Sequence, residues 1–223
     1  MEPYNKKFPG IYIRRGRKKE IYTLNLAKGQ KVYGERTYKD KGIEYRQWNP
    51  ERSKLAAGIL KGISQTGIRE DSLILYLGCA SGTTVSHLSD ICTKGFIFAL
   101  DFSPRVMRDF HFMMQRRKNI AGFLASANHP EEYSEVPQVD VVFQDIAQRD
   151  QVGIFFKNYD KFLKPGGFGI LSLKARSVDV TKKPGVIFKQ VMDELNKKAI
   201  VVDYRKLDPY ELDHALFVVK KRV

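Results

Sequence analysis

Residues 71–101 read DSLILYLGCASGTTVSHLSDICTKGFIFALD, and this stretch decides the fold class. Leu73-Ile74-Leu75-Tyr76-Leu77 is a short apolar run, the pattern of a strand covered on both faces. Gly78-Cys79-Ala80-Ser81-Gly82 turns the chain tightly and leaves the backbone open to a ligand. Thr83 or Thr84 is placed to cap the next helix, in which Val85, Leu88 and Ile91 recur at helical spacing. Phe96-Ile97-Phe98-Ala99-Leu100 reads as a second strand. Asp101 stands at its carboxyl end, where open α/β sheets bind their ligands.

The turn narrows the choice of ligand. A dinucleotide site needs G-x-G-x-x-G, so that the second glycine lets the backbone reach a pyrophosphate. Ala80 occupies that second position, and the loop is G-x-x-x-G. It suits a nucleoside cofactor without a pyrophosphate, and S-adenosylmethionine fits that description. Its carboxylate can meet loop N–H groups, and Asp101 can accept from its ribose hydroxyls. The same residues also suit a tightly packed βαβ unit in which Asp101 merely caps the next helix.

Outward from this unit the chain alternates. Helices are predicted over Glu51–Gln65 (opened by Asn49-Pro50), Pro104–Arg117, Gln148–Phe162 and Gly185–Lys197. Further strands are predicted at Ile120–Leu124, Val139–Phe143, Phe168–Lys174, Ala199–Tyr204 and Ala215–Lys220. Seven strands ending in two successive ones match the class I S-adenosylmethionine-dependent methyltransferase plan. That plan is α/β and Rossmann-like, a seven-stranded mixed sheet whose final hairpin supplies the antiparallel strand.

The 223 residues carry a net charge of +14, which favours a polyanionic partner. Residues 1–52 hold 14 basic and 6 acidic side chains, more than half of that excess. This segment reads as a small β subdomain. Gly10–Arg14, Glu20–Leu26 and Gln30–Tyr33 alternate polar and apolar residues, and Arg14-Arg15-Gly16-Arg17-Lys18-Lys19 forms a basic hairpin tip. The predicted division is residues 1–50 for the subdomain and 51–223 for the methyltransferase domain. No apolar run is long enough for a bilayer span, and Met1–Gly10 lacks a signal-peptide pattern. Cys79 and Cys92 have no metal-ligand spacing and read as free thiols in a reducing, cytoplasmic setting.

Four polar residues stand out. Asp145 follows one strand, Lys174 ends the next, His214 precedes the last, and Lys54 lies in the helix entering the domain. Methylating a hydroxyl calls for an oxygen aligned with the methyl–sulfur bond. A cation beside it stabilises developing negative charge, and a carboxylate can orient that cation.

Several long stretches are more specific. They are Tyr45-Arg46-Gln47-Trp48-Asn49-Pro50-Glu51-Arg52-Ser53-Lys54-Leu55-Ala56-Ala57, Tyr76-Leu77-Gly78-Cys79-Ala80-Ser81-Gly82-Thr83-Thr84-Val85-Ser86-His87, Asp145-Ile146-Ala147-Gln148 and Leu173-Lys174-Ala175-Arg176-Ser177. Through them nearly the whole chain resembles the fibrillarin family, the ribose 2′-O-methyltransferases of box C/D guide-RNA particles, in its archaeal form. The resemblance implies a catalytic set of Lys54, Asp145, Lys174 and His214, with Lys174 holding the hydroxyl and Asp145 orienting it. It implies S-adenosylmethionine contacts from Gly78, Ala80, Thr83, Thr84, Asp101, Phe102, Asp145 and Gln148, with Ser126 and Ala127 near the adenine. It implies a Nop-domain scaffold protein, a kink-turn-binding subunit, a guide RNA and rRNA or tRNA targets, and no metal.

The chain departs from the family at three points. Cys79 stands where alanine is usual, Asp101 where glutamate is common, and Ser126 where aspartate is common. Two other readings stay open: a stand-alone RNA methyltransferase without a guide, and a non-catalytic RNA-binding scaffold. Phe143-Gln144-Asp145-Ile146 is not the Asn/Asp-Pro-Pro-Tyr type of motif used for base amino groups. Neither cysteine sits at a strand end suited to C5 attack on cytosine.

Overall fold

The computed structural model describes residues 1–14, 16 and 19–223. Five strands build a first, antiparallel sheet: β1 (Glu2–Pro3), β2 (Ile11–Arg14), β3 (Glu20–Leu24), β4 (Thr37–Asp40) and β5 (Ile43–Gln47), in the order β1-β2-β3-β5-β4. The predicted strand at Gln30–Tyr33 is absent. The Val32 and Tyr33 backbone N–H groups donate to the Glu35 carboxylate at 2.9–3.1 Å, so a local turn replaces a ladder there. Arg14 pairs with Glu20 across β2 and β3, so the basic segment does join two antiparallel strands. Arg15, Arg17 and Lys18 of that tip lie outside the described residues.

The remainder alternates: α1 (Lys54–Leu60), β6 (Leu73–Leu77), α2 (Thr83–Ile91), β7 (Phe96–Asp101), α3 (Pro104–Met114), β8 (Ile120–Leu124), a 3-10 turn at Pro130–Tyr133 and β9 (Val139–Gln144). It continues with α4 (Gln151–Phe162), β10 (Leu163–Lys174), α5 (Ala175–Val178), α6 (Pro184–Lys198), β11 (Ile200–Lys206) and β12 (His214–Lys220). The second sheet runs β11-β12-β10-β9-β6-β7-β8. Only β12 runs against its neighbours β10 and β11, as the final hairpin requires.

Helix starts moved from their predicted places because the caps are elsewhere. Helix α1 has seven residues, not the longer span predicted. Its N-cap is Ser53, whose Oγ accepts from the Ala56 N–H at 3.4 Å, while Asn49 closes a separate turn on Glu51. Gly62, with φ +83°, ends it. Helix α2 is capped by Gly82 and not by a threonine. Helix α4 begins after Asp150, whose carboxylate accepts from the Gly153 N–H at 3.0 Å, and Gln148 is left in the loop before it.

Both faces of the second sheet are covered. On one, Leu55 and Ile59 of α1, Val85, Leu88 and Ile91 of α2, and Phe110 of α3 pack against Ile74, Tyr76, Ile97 and Phe143. On the other, Phe155 and Phe162 of α4 and Phe188 and Leu195 of α6 meet Leu75, Val142, Leu171 and Phe217.

The first sheet joins the helix-α1–α3 face without a break in the core, through Ile11, Ile21 and Trp48. The Trp48 ring is fully buried and stacks on His87 of α2, with centroids 4.9 Å apart and planes at 15°. Beside it a buried polar network crosses the junction. The Arg46 guanidinium on β5 meets Glu35 at 2.7 Å and Asp90 of α2 at 3.1 Å, and donates to Ser86 Oγ at 3.0 Å. Asp90 also takes Arg117 at 2.7 Å and the Thr23 hydroxyl at 2.8 Å. Charge balance and full hydrogen bonding make this burial tolerable.

Candidate functional site

The strand order reverses at β6. Strands β7 and β8 lie on one side of it and β9 on the other, so a crevice opens outside the carboxyl ends of β6 and β9. The Gly78–Gly82 turn lies at that mouth. Gly78 has φ +85°, and a Cβ there would stand 2.4 Å from the Asp145 carbonyl oxygen and 2.7 Å from Ile146. Two loops therefore meet at van der Waals contact only because residue 78 has no side chain. Ala80 also takes a positive φ, +46°, which turns its exposed side chain outward. The Gly78 and Cys79 N–H groups close on the Leu100 carbonyl at 2.8 and 3.0 Å. Burial of Cys79 pushes its thiol well above the usual range and keeps it protonated.

Asp101 serves both neighbouring segments. One carboxylate oxygen accepts the Ala80 N–H at 3.1 Å and the other the Ser103 N–H at 3.0 Å. The bond to Ser103 closes a turn ahead of α3, whose N-cap is Ser103, so Asp101 does not cap that helix as the alternative reading expected; the bond to Ala80 ties the acid to the glycine loop. An ionised carboxylate keeps acceptor capacity beyond those two bonds. Phe102 beside it is 67% exposed and Leu124 at the end of β8 is 60% exposed, so two apolar surfaces flank the acid. The Ser126 hydroxyl accepts from the Asn128 N–H at 3.3 Å, and its own N–H donates to Glu132 at 3.3 Å. Ala127 is buried, its carbonyl held by Asn158 at 2.8 Å. Thr83 opens α2 half-buried, whereas the Thr84 hydroxyl points to Ser53 Oγ at 2.9 Å inside the fold. What Thr84 offers a ligand is backbone at the helix N-terminus. Glycine loop, helix N-terminus, spare carboxylate capacity and flanking apolar surface together fit a nucleoside cofactor bearing a carboxylate.

The four polar residues fall into two pairs. Lys54, at the first position of α1, reaches Asp145 Oδ1 at 3.3 Å with both side chains partly buried. Burial pulls the Lys54 ammonium down, but Asp145 and Glu211 outweigh it, and the net shift is upward. Lys54 is therefore a fixed cation. Lys174 and His214 face each other in register on β10 and β12. The His214 Nδ1 lies 2.7 Å from the Leu212 carbonyl, which can only accept, so Nδ1 carries the proton and Nε2 is an acceptor in the neutral ring. Lys174 is exposed, and no ion pair involves it among the described residues. Asp145 is paired with Lys54, not with the Lys174 it was expected to orient. Gln148 sits half-buried in the loop after Asp145.

Sequence reasoning missed three supports. Gln151 clamps the Lys174 backbone with two bonds, 3.0 Å to its N–H and 3.1 Å to its carbonyl. Ser53 both caps α1 and holds Thr84. Tyr76, stacked on Phe143 at 4.6 Å, is buried near Asp145, and that burial pushes its phenol well above the usual range. The contacts of Gln151, of Tyr76 and of Ser53 with Thr84 have no local sequence signal, because each joins residues far apart in the chain; the capping of α1 by Ser53 is the one local signal that was there to be read.

A parallel sheet closed by one antiparallel strand, with a glycine turn and a terminal acid at its switch point, defines the class I S-adenosylmethionine-dependent methyltransferases. Within that class the match is specific: the family description Fibrillarin covers residues 3–223, and the chain belongs to the fibrillarin family. The fibrillarin-like rRNA/tRNA 2′-O-methyltransferase of Thermococcus onnurineus is 51% identical over 219 residues, spanning 96% of this chain and 97% of that one. Aeropyrum pernix fibrillarin, solved with natively bound S-adenosyl-L-methionine, superposes with a TM-score of 0.89 at 41% identity, over 97% of this chain and 96% of that one. The fibrillarin of a fibrillarin/Nop5p complex superposes at 0.87 with 38% identity, over 95% and 97%.

Proposed function

We infer that this chain is an S-adenosylmethionine-dependent rRNA/tRNA ribose 2′-O-methyltransferase, the catalytic subunit of a box C/D guide-RNA particle. The observation that carries the chemistry is the Lys54–Asp145 pair at the mouth of the switch point, beside the Gly78 loop and next to the Lys174–His214 rim. Bound in the crevice, the cofactor would supply an electrophilic methyl on a sulfonium; the ribose 2′-oxygen would bond to that methyl carbon in line with the breaking carbon–sulfur bond, the sulfur leaving as a neutral thioether. Gly78, Ala80, Thr83, Thr84 and Gln148 would line its polar end. Asp101 would take the ribose hydroxyls, and Phe102, Ser126 and Ala127 would stand near the base.

The 2′-hydroxyl must give up its proton for the oxygen to attack; negative charge builds on the oxygen as that proton leaves and is spent as the O–C bond forms, and the Lys174 ammonium is the group assigned to hold it. Its backbone is clamped by Gln151, which fixes where the side chain starts. Lys54, kept charged by Asp145, adds positive potential without titrating. His214, its Nδ1–H fixed on the Leu212 carbonyl, presents Nε2 as an acceptor.

A relative crystallised with Nop5p supports a Nop-domain scaffold as the direct partner. The kink-turn-binding subunit and the guide RNA complete the particle in this reading. No helix among the described residues is long and apolar enough to cross a membrane, and we place the enzyme in the cytoplasm of an archaeal cell. Residues 1–50 are taken as the subdomain and 51–223 as the catalytic domain.

The test is reconstitution with scaffold, kink-turn protein, guide and target RNA, followed by mapping of ribose methylation. Methylation should appear at the ribose the guide specifies and move when the guide is changed. Full-rate methylation of one fixed site by the chain alone, whatever the guide, would establish a stand-alone methyltransferase instead.

A further inference from the structure

A groove of about 470 Å³ runs from the cofactor loop, at Ser81, between the first sheet and helix α3. Three cations line it from three different segments, Lys31 from the turn before β4, Arg52 two residues before Lys54, and Arg116 just past α3, beside a fourth, Arg117, that is buried on Asp90. All three are exposed, and among the described residues none forms an ion pair. Of the side chains lining the groove only Asp109 is acidic, and it lies 3.9 Å from Arg108. Phe112 adds an aromatic face that is 61% exposed and open to a ligand.

We propose that this groove holds the RNA strand where it leaves the reaction centre, with Lys31, Arg52 and Arg116 on successive phosphates and Phe112 under a base. The proposal rests on the reading that a ribose is methylated at the adjoining crevice. Unpaired cations spaced along a channel, with an aromatic between them, are the pattern that tracks a single strand without reading its sequence. A protein partner is less well matched, because charged residues are depleted at the centre of protein interfaces and this groove carries three unpaired ones. Its lining includes Arg52 and Ser81, on the two segments that carry Lys54 and the glycine loop.

The experiment compares the wild-type chain with a Lys31→Ser, Arg52→Ser, Arg116→Ser variant and with Phe112→Ala. Binding of a short single-stranded RNA of mixed sequence is measured against salt, and methylation kinetics are measured in the reconstituted particle. The triple variant should lower the slope of log affinity against log salt by about 2, from three lost single-strand phosphate contacts. Its KM for target RNA should rise by about tenfold, with kcat at saturating RNA and S-adenosylmethionine affinity unchanged. Phe112→Ala should weaken RNA binding by about fivefold or more without changing the salt slope. Failure of the wild-type particle to methylate RNA would sink the functional reading itself. A methylating wild type with an unchanged salt slope and KM in the triple variant would overturn the groove alone. Intact RNA binding with lost capture of the Nop-domain scaffold would assign the groove to that protein, and would equally overturn the proposal.

Discussion

Lys54 and Lys174 carry the same ammonium into different surroundings, and the difference sets their roles. Lys54 is partly buried against a carboxylate, whereas Lys174 stands exposed at a strand end. Lys174→Ala should nearly abolish methyl transfer in the assembled particle while cofactor affinity stays within a few-fold. Equal transfer rates for variant and wild type would remove the assignment. Asp101→Ala should weaken S-adenosylmethionine by about 1.5–3 kcal/mol, the scale of charge-assisted hydrogen bonds, and calorimetry measures it directly. Part of that loss would come through the loop, since Asp101 also holds the Ala80 N–H. At this scale the sequence was informative where a residue ends a strand, as with Asp145 and Lys174. It was silent on the contacts of Gln151 with Lys174 and of Ser53 with Thr84, which join partners brought near by folding.

Among the elements, those with one dominant force were readable in advance. Strand β8 has the predicted bounds Ile120–Leu124, and β6 is the apolar run Leu73–Leu77. Boundaries set by single hydrogen bonds were misplaced: Ser53 and Asp150 displaced the expected starts of α1 and α4, and Glu35 converted a candidate strand into a turn. The junction between the sheets was also hidden, because Arg46 on β5 and Asp90 on α2 are distant in sequence yet fully buried together. Arg46→Ala would leave Glu35 buried without its cation and Asp90 with Arg117 alone. It should cost about 3–5 kcal/mol in urea unfolding, against near-neutral effects for exposed arginines. A loss below about 1 kcal/mol would mean that water reaches the site and solvates those carboxylates.

For the whole molecule, stability is tied to pH through His87. Its ring is enclosed by Thr23, Tyr33 and Trp48, each at contact distance. Burial first, and then Arg46 and Arg117, push its pKa well below the usual 6.5. The unfolded chain therefore binds a proton that the folded chain refuses. The stabilisation is complete above pH 6.5 and is lost as the pH falls below it, at up to about 1.4 kcal/mol per pH unit. Thermal unfolding of the wild type from pH 7.5 down to 5 should show that decline, and His87→Gln should flatten it. A profile identical in the two proteins would place the acid sensitivity in carboxylates instead. The same junction implies that the two sheets melt together, since one continuous core joins them.

Trp48 turns that junction into an optical instrument. It is the single tryptophan of the chain, so light absorbed at the red edge of the protein spectrum is re-emitted from the boundary between the sheets and from nowhere else. Parting of the two sheets wets the indole and shifts its colour toward longer wavelengths. A proton arriving on the stacked imidazole quenches it, so intensity and wavelength separate charging of His87 from opening of the junction in a single titration.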